Sequence, residues 1–368
     1  GTRRVDEREA APPAEAEAVI RNGKLAVVLG IEVDSLFNCK LSGKCTPASV
    51  LADVDKYYAK GVRHVYPTHN FDGGFSGTAV WMNLLNTGNR IIEKQWYAVE
   101  PCDTSDFVLS ATVPTVATIP ANLIEGNSVP YPQYPKKPTC NVKGLTPLGR
   151  TLISRLMEKG MLIDIDHMSA KSIDETIEMA KARPGGYPLM AGHGLFADLY
   201  KDTRKRHERM RTAAQIDAIK KLGGLVSIMT QDEMDDERDC KHSSRSFATN
   251  LRYISQRISA VPFGSDFNGL APHVGPRYGD DACGKDKVQR QAENARPRLE
   301  YPFTLPGFGV FYRQVTGQRT FDFNTDGLAH IGLFPDLIRD LMLNGVDVEP
   351  LMRSADAYVQ AWKRATKK

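Results

Sequence analysis

Acidic and histidine residues follow five strand-like segments of this sequence, each at the point where the segment ends. The residues are Glu32, His69, His167, His193 and Asp266. Carboxylate and imidazole groups together are the ligands typical of zinc and other borderline divalent metals. One such residue alone would more often be a solvated loop residue or a helix cap. The repetition at five strand ends favours a metal-dependent hydrolase.

These side chains need strands and helices to hold them, and the sequence alternates between the two. The predicted strands are residues 25–31, 62–66, 162–165, 189–191, 225–229 and 261–263. The helices that precede them are predicted at residues 14–21, 48–60, 147–159, 172–182, 213–221 and 246–258. Repeated helix–strand units imply a parallel sheet with helices outside, either a barrel or an open doubly wound sheet. In an α/β barrel the carboxyl ends of the strands surround one site, so the five polar residues would converge.

Composition excludes several classes of protein. The chain has 368 residues, 41% of them hydrophobic and 25% charged, which is ordinary for a soluble globular protein. The net charge is only +4, and the densest basic stretch, residues 204–209, is interrupted by Glu208, so no nucleic-acid partner is expected. No apolar run approaches the ~20 residues that a membrane-spanning helix needs.

Two long segments interrupt the helix–strand rhythm and shape the predicted domain organisation. We expect residues 1–13 to form a disordered or tail segment and residues 14–368 to form one hydrolase barrel. Insertions are expected at about residues 70–145 and 270–325, which are rich in proline and polar residues. Loops of this length usually shape a binding site or are mobile.

The cysteines point to an oxidising compartment. All six lie in loop-like segments, and none forms a Cys-x-x-Cys pair that would suggest zinc or redox chemistry. Three disulfides, and secretion or a periplasmic location, are therefore favoured over six reduced thiols. Nearest-neighbour pairing would join Cys39 to Cys45, Cys102 to Cys140 and Cys240 to Cys283, although six cysteines allow ~15 connectivities.

At this point the sequence resembles the membrane dipeptidase (renal dipeptidase) family of the amidohydrolase superfamily. The most specific matches are GLTPLGR at residues 144–150 and GMLIDIDHMS at 160–169. The match GSDFNG at 264–269 is weaker alone and strong in this order. Further matches, in the family's order, lie at residues 23–32, 68–70, 192–193 and 327–337. The resemblance covers about residues 14 to 362. It implies a (β/α)₈ TIM barrel that carries two zinc ions and hydrolyses dipeptides.

The resemblance also implies a role for each candidate residue. Glu32 matches the carboxylate that bridges the two metals, and His167 and His193 match two histidine ligands of the second metal. Asp266 matches the catalytic aspartate, which would take a proton from a metal-activated water and deliver it to the leaving amine. His69 matches a histidine on the substrate carbonyl side. Arg209 matches the arginine that holds the substrate carboxylate.

One element of the family pattern is absent from this sequence. The family takes two ligands of its first metal from a His-x-Asp or His-x-His pair on the first strand, and none of the eight histidines begins such a pair at a strand end. We expect the first strand to lie upstream of Gly1, or to be supplied by a separate segment. The remaining alternative is that the protein has lost the first metal. A homodimer is a further possibility that the family suggests.

Other functions remain open at the level of sequence. The same barrel could carry a lactonase, an N-acyl amino acid hydrolase or a deaminase. The missing first-strand ligands would also fit a non-catalytic binding protein on a decayed barrel. Two further histidines receive structural interpretations: His64, within a strand, is predicted to be packed, and His207, in a basic stretch, is predicted to be exposed.

Overall fold

A parallel sheet of six short strands is the framework of the computed structural model, which describes residues 12–109, 132–200, 206–231, 239–269 and 271–367. In chain order the strands are β1 (Leu29–Ile31), β2 (Val62–Val65), β3 (Val99–Pro101), β4 (Thr139–Asn141), β5 (Leu162–Asp164), β6 (Leu189–Gly194), β7 (Leu225–Met229), β8 (Phe263–Gly264), β9 (Phe303–Leu305), β10 (Gly309–Phe311), β11 (Val315–Thr316) and β12 (Arg319–Thr320). The sheet order is β1-β2-β5-β6-β7-β8, and β3–β4, β9–β10 and β11–β12 form two-stranded pairs.

Helices connect the sheet strands. They are α1 (Pro13–Arg21), α2 (Pro47–Ala59), α3 (Asn83–Glu93), α4 (Pro147–Glu158), α5 (Ala170–Lys181), α6 (Ala213–Lys221), α7 (Ser244–Ser255), α8 (Lys287–Glu293), α9 (Phe323–Asp326), α10 (Phe334–Leu343), α11 (Glu349–Met352) and α12 (Ser354–Ala365). Among the described residues, no helix is long and apolar enough to cross a membrane.

Local sequence signals explain where the site-bearing helices begin and end. Thr146 caps α4 by accepting a hydrogen bond from the Gly149 backbone N–H at 2.9 Å, and a proline occupies the first turn. The same helix stops at Gly160, whose φ of +66° is the left-handed conformation that ends many helices. The chain then enters β5 directly, which leads to His167.

The register of the sheet aligns the carboxyl ends of its first strands. Ile31 pairs with Val65, and Val65 pairs with Ile163, which in turn pairs with Leu189. Because the pairs are parallel, residues that follow β1, β2 and β5 emerge at one edge of the sheet. This edge is where the sequence placed the candidate site.

The described chain divides into two units. The first contains residues 1–191, 201–225 and 356–368, and the second contains residues 192–200 and 226–355. The division falls inside β6 and β7, so each of these strands belongs to both units. The core of the first unit is formed by fully buried side chains of α4 and β5, including Leu152, Ile153, Leu162 and Ile163.

The second unit has an aromatic core of its own. The ring of Phe263 in β8 lies 5.7 Å from that of Phe247 in α7 and 4.6 Å from that of Phe334 in α10. Leu251 of α7 and Leu337 of α10 are also buried. This packing fixes β8, and therefore the start of the segment that carries Asp266.

The predicted elements agree with the structure, apart from some of their boundaries. The first strand was expected from residue 25, but pairing begins at Leu29, since Leu25 and Val27 are 77% and 46% exposed. A mixed α/β fold with a parallel sheet is confirmed. The eight-stranded barrel, and the absence of its first strand from this chain, remain predictions.

The two predicted insertions contain more regular structure than their composition suggested. Helix α3 and the pair β3–β4 lie within residues 70–145, and α8 and β9–β12 lie within residues 270–325. Residues 110–131 of the first insertion and residues 1–11 of the predicted tail lie outside the described residues.

All three predicted disulfides are present. Cys39 is bonded to Cys45, Cys102 to Cys140 and Cys240 to Cys283. No cysteine remains as a free thiol. Pairing by shortest loop was therefore correct.

Candidate metal centre and catalytic site

Glu32, His167 and His193 form a group that could hold a metal ion. Each offers one ligand atom, and these atoms lie within 4.8 Å of one another. The Nε2 of His167 lies 3.2 Å from the Oε1 of Glu32. Both histidines are buried, and the side chain of Glu32 is 28% exposed. One carboxylate and two imidazoles are a donor set that suits zinc, so the residues present fit the metal that the sequence predicted.

The chain holds His167 in a conformation that few non-glycine residues adopt. Its φ is +65°, and such strain costs ~1–3 kcal/mol unless the surroundings impose it. The carbonyl of His167 accepts hydrogen bonds from the Ala79 backbone N–H at 2.7 Å and from the Thr78 hydroxyl at 3.0 Å. Strain of this kind clusters at functional sites, which agrees with a ligand role for His167.

His69 lies next to the metal-ligand group. Its ring centre is 4.4 Å from that of His167, and its Nδ1 is 3.1 Å from the Oδ1 of Asp34. The same Asp34 oxygen accepts the backbone N–H of Asn70 at 2.9 Å. Asp34 therefore orients the ring of His69. Sequence reasoning missed Asp34, although its position two residues after Glu32 was a usable signal.

Three carboxylates of the first unit act on Tyr66, the residue that follows β2. Burial raises the pKa of Tyr66 well above its usual value, and the carboxylates of Asp164, Glu32 and Asp166 add to this effect. Tyr66 therefore stays protonated at neutral pH. Asp164 accepts from the ring of His64 at 3.1 Å, and the other ring nitrogen of His64 lies 3.0 Å from the hydroxyl of Tyr358. His64 is thus packed within the structure, as its position in a strand predicted.

Arg209 lies in a buried aromatic setting. It is 5% exposed, and its guanidinium carbon lies 4.9 Å from the centre of the Trp81 ring. His207 lies 5.7 Å from the same ring. The prediction that His207 is exposed was wrong: burial, aided by Arg209 and Arg211, lowers its pKa to about 3, so the ring is neutral at physiological pH. The neighbouring basic residues had suggested a solvated stretch.

Two buried neighbours fix the backbone that carries Arg209. Glu208 accepts backbone N–H bonds from Val80, Asn141 and Ala170 at 2.7–3.0 Å. Burial raises the pKa of Glu208 to about 7, and these three donors oppose the rise. On the other side, the guanidinium of Arg211 donates to the carbonyl of Arg209 at 2.8 Å. Sequence reasoning identified neither as a support for Arg209.

Asp266 lies in the second unit, directly after β8. Its φ is +47°, a left-handed conformation that Asp tolerates better than most residues. Its Oδ2 accepts a hydrogen bond from Gln231 Nε2 at 2.5 Å, and its Oδ1 accepts one from Asn268 Nδ2 at 3.2 Å. Gln231 therefore orients the carboxylate. Gln231 follows the end of β7, where the sequence analysis predicted no functional residue.

Comparisons with known proteins point to one family. Residues 126–276 match the family model of the membrane dipeptidases, peptidase family M19. The chain resembles the membrane dipeptidases. The matched segment contains His167, His193, Arg209 and Asp266, whereas Glu32 and His69 precede it.

A curated relative is a dipeptidase, and two solved structures share the fold of this chain. The dipeptidase tcpJ of Claviceps purpurea is 23% identical over 133 residues, which is 36% of this chain and 29% of the relative. The chain thus spans less than a third of that relative's length. A crystal structure of the M19 metallo peptidase dipeptidase AC matches with a TM-score of 0.55 at 13% identity, covering 96% of this chain and 70% of that one. A metallo peptidase from Rhodobacter sphaeroides, bound to a phosphinate mimic of L-Ala-D-Ala, matches with a TM-score of 0.54 at 14% identity, covering 96% and 68%. At these identities the structures support the fold.

Proposed function

We propose that this chain is a zinc-dependent hydrolase that cleaves dipeptides. The observation that carries the proposal is the group formed by Glu32, His167 and His193, in a chain whose residues 126–276 match the membrane dipeptidases. When zinc is bound, it supplies Lewis acidity that lowers the pKa of coordinated water toward ~7. The site is proposed to hold two ions, as in the family that the sequence resembles.

The chain's own residues would bind and orient the substrate. Arg209, fixed by Glu208 and Arg211, would form two parallel hydrogen bonds to the substrate's free carboxylate. His69, oriented by Asp34, would donate to the substrate carbonyl oxygen as negative charge develops there. A free carboxylate next to the scissile amide is what a dipeptide offers.

Asp266 would move the proton. Its carboxylate, held by Gln231 Nε2 on one oxygen and by Asn268 on the other, would take a proton from the attacking water and give it to the departing amine nitrogen. Two fixed hydrogen bonds keep the carboxylate in one orientation, which is what such a transfer requires. The three disulfides fit an extracellular or periplasmic enzyme.

A substrate panel tests the proposal. The purified protein is assayed with L-Ala-L-Ala, L-Ala-D-Ala, N-acetyl-alanine and a γ-lactone, before and after chelation and zinc restoration. Hydrolysis of the dipeptides, lost on chelation and restored by zinc, is the expected result. Faster cleavage of the lactone or of N-acetyl-alanine would reassign the substrate. No hydrolysis of any compound by the zinc-loaded protein would contradict an enzymatic role.

A further inference from the structure

The second unit contains a cavity of about 540 Å³ on the face formed by α10 and the segment 297–304. Its volume lies within the range of small-molecule sites, ~300–1,000 Å³. Phe303 and Leu343 supply apolar wall, and Arg298, Arg339 and Glu300 supply charge. The cavity is therefore part apolar and part cationic, with one more positive than negative group.

Arg339 is the informative residue of this cavity. It is half-buried on α10, yet it makes no hydrogen bond or ion pair with any residue that the structure describes. None of its guanidinium nitrogens is among the fully buried atoms without a partner, so the group remains accessible from the solvent. The guanidinium of Arg339 can therefore bind an acceptor that comes from outside the fold.

The carboxylates closest to Arg339 along α10 are already used. Asp340 accepts from Arg277 Nη2 at 2.8 Å and from the hydroxyl of Ser244. Asp336 accepts from the hydroxyl of Tyr301. Neither is therefore assigned to Arg339, although both lie within one helical turn of it.

The second cation of the cavity also lacks a carboxylate partner. Arg298 stacks on the ring of Tyr278, with 4.2 Å from its guanidinium carbon to the ring centre, and donates to the amide oxygen of Asn294 at 3.2 Å. It forms no ion pair with a described residue. Glu300 lines the same cavity, and no ion pair among the described residues joins it to either arginine. Two guanidiniums beside an apolar wall are thus left for one ligand.

We propose that this cavity binds a small organic carboxylate with a short apolar tail. Arg339 holds the carboxylate by its two parallel N–H donors, Arg298 adds a second positive charge, and the tail packs on Phe303 and Leu343. The apolar wall favours such a ligand over an inorganic anion, which would leave that wall in water. This site is separate from the proposed metal centre in its residues and does not depend on hydrolysis.

Ligand-observed NMR titration of 4-methylpentanoate with the 368-residue chain tests the site. Arg339→Gln is expected to weaken binding by about tenfold, the effect of losing a charge-assisted hydrogen bond. Arg353→Gln is the matched control, since Arg353 is exposed and forms an ion pair with Glu349, and it should bind like the wild type. Glu300→Gln should tighten binding by about threefold, because it removes a nearby like charge.

One further variant and two ligand analogues distinguish this site from the proposed substrate site and from non-specific binding. An Arg209→Met background removes the proposed substrate-carboxylate contact, and binding should persist there. Isoamylamine and inorganic phosphate should each bind at least about tenfold more weakly than 4-methylpentanoate, since one lacks the carboxylate and the other the tail. Equal affinity for Arg339→Gln and Arg353→Gln, loss of all binding in the Arg209→Met background, or equal binding of either analogue would overturn the proposal.

Discussion

At the scale of single residues, the proposed metal ligands lie at strand ends, and the residues that orient the candidate site lie elsewhere. The grouping of Glu32, His167 and His193 could be predicted because each follows or ends a short apolar strand. Asp34 and Gln231 could not, because their role depends on which side chain they meet in three dimensions. A sequence pattern identifies groups that do chemistry more readily than the groups that orient them.

Asp266 is the residue whose proposed role can be separated most cleanly from metal binding. Asp266→Asn keeps a carbonyl oxygen for Gln231 and suits the left-handed backbone at this position, where φ is +47°. We expect zinc content to be unchanged and kcat to fall by ~10²–10⁴-fold, the usual effect of removing a general base. Steady-state kinetics with metal analysis check this, with Asp281→Asn as the control, because Asp281 is an exposed carboxylate that pairs with Lys285. An unchanged kcat would contradict the role.

Trp81 is predicted to position Arg209. Removing its ring in Trp81→Leu deletes a buried cation–π contact worth ~1–2 kcal/mol, so the guanidinium loses its fixed plane. We expect KM for a dipeptide to rise by about tenfold with a smaller change in kcat. Trp81→Phe keeps an aromatic face and should restore most of the affinity. Equal KM values in all three proteins would show that the ring does not position Arg209.

At the scale of elements, helix and strand positions were largely predictable and their exact limits were not. Helix α6 was predicted at its observed bounds, because Thr212 caps it and Gly223 follows its end. The start of β1 was misplaced, since apolar residues before Leu29 are exposed. The structure inside the insertions, such as α3, was also missed, because its buried face includes Asn86 and Asn89 and therefore lacks an apolar stripe.

The start of α4 depends on a glycine. A Cβ added at Gly149 would lie 1.9 Å from the carbonyl oxygen of Phe75, which cannot move without displacing the backbone. Gly149→Ala should therefore lower the free energy of unfolding by about 3 kcal/mol. Gly73→Ala is the matched control, since its Cβ would lie at an ordinary 3.7 Å from the Cys39 carbonyl oxygen. Urea denaturation of both variants measures the difference, and similar midpoints would refute the close approach.

At the scale of the whole molecule, the three disulfides close loops of different lengths and should therefore stabilise the fold by different amounts. Cys240–Cys283 spans 43 residues and Cys39–Cys45 only 6. Closing a longer loop restricts the unfolded chain more, so the predicted losses on replacing both cysteines by alanine are about 4 and about 2 kcal/mol respectively. Chemical denaturation of the two double variants tests the order. The reverse order would show that native contacts, rather than loop length, dominate.

The pairing of the cysteines could be predicted from sequence because every cysteine lay in a loop-like segment. The oxidising compartment stays a prediction. The number of metal ions was not inferable, because the His-x-Asp pair that the family uses for its first metal is absent from this sequence. Metal analysis separates the proposed two-ion site from a one-ion site built on Glu32, His167 and His193 alone.

Zinc content of the purified protein, measured by plasma mass spectrometry, tests the central claim most directly. The wild type should hold at least about one zinc per chain, and His193→Ala should hold at least about tenfold less while keeping its circular dichroism spectrum. His64→Asn is the control, because His64 bonds to Asp164 and Tyr358 and does not belong to the ligand group, so its zinc content should equal that of the wild type. Equal zinc in His193→Ala and wild type, or a folded wild type that takes up no zinc, would contradict the account.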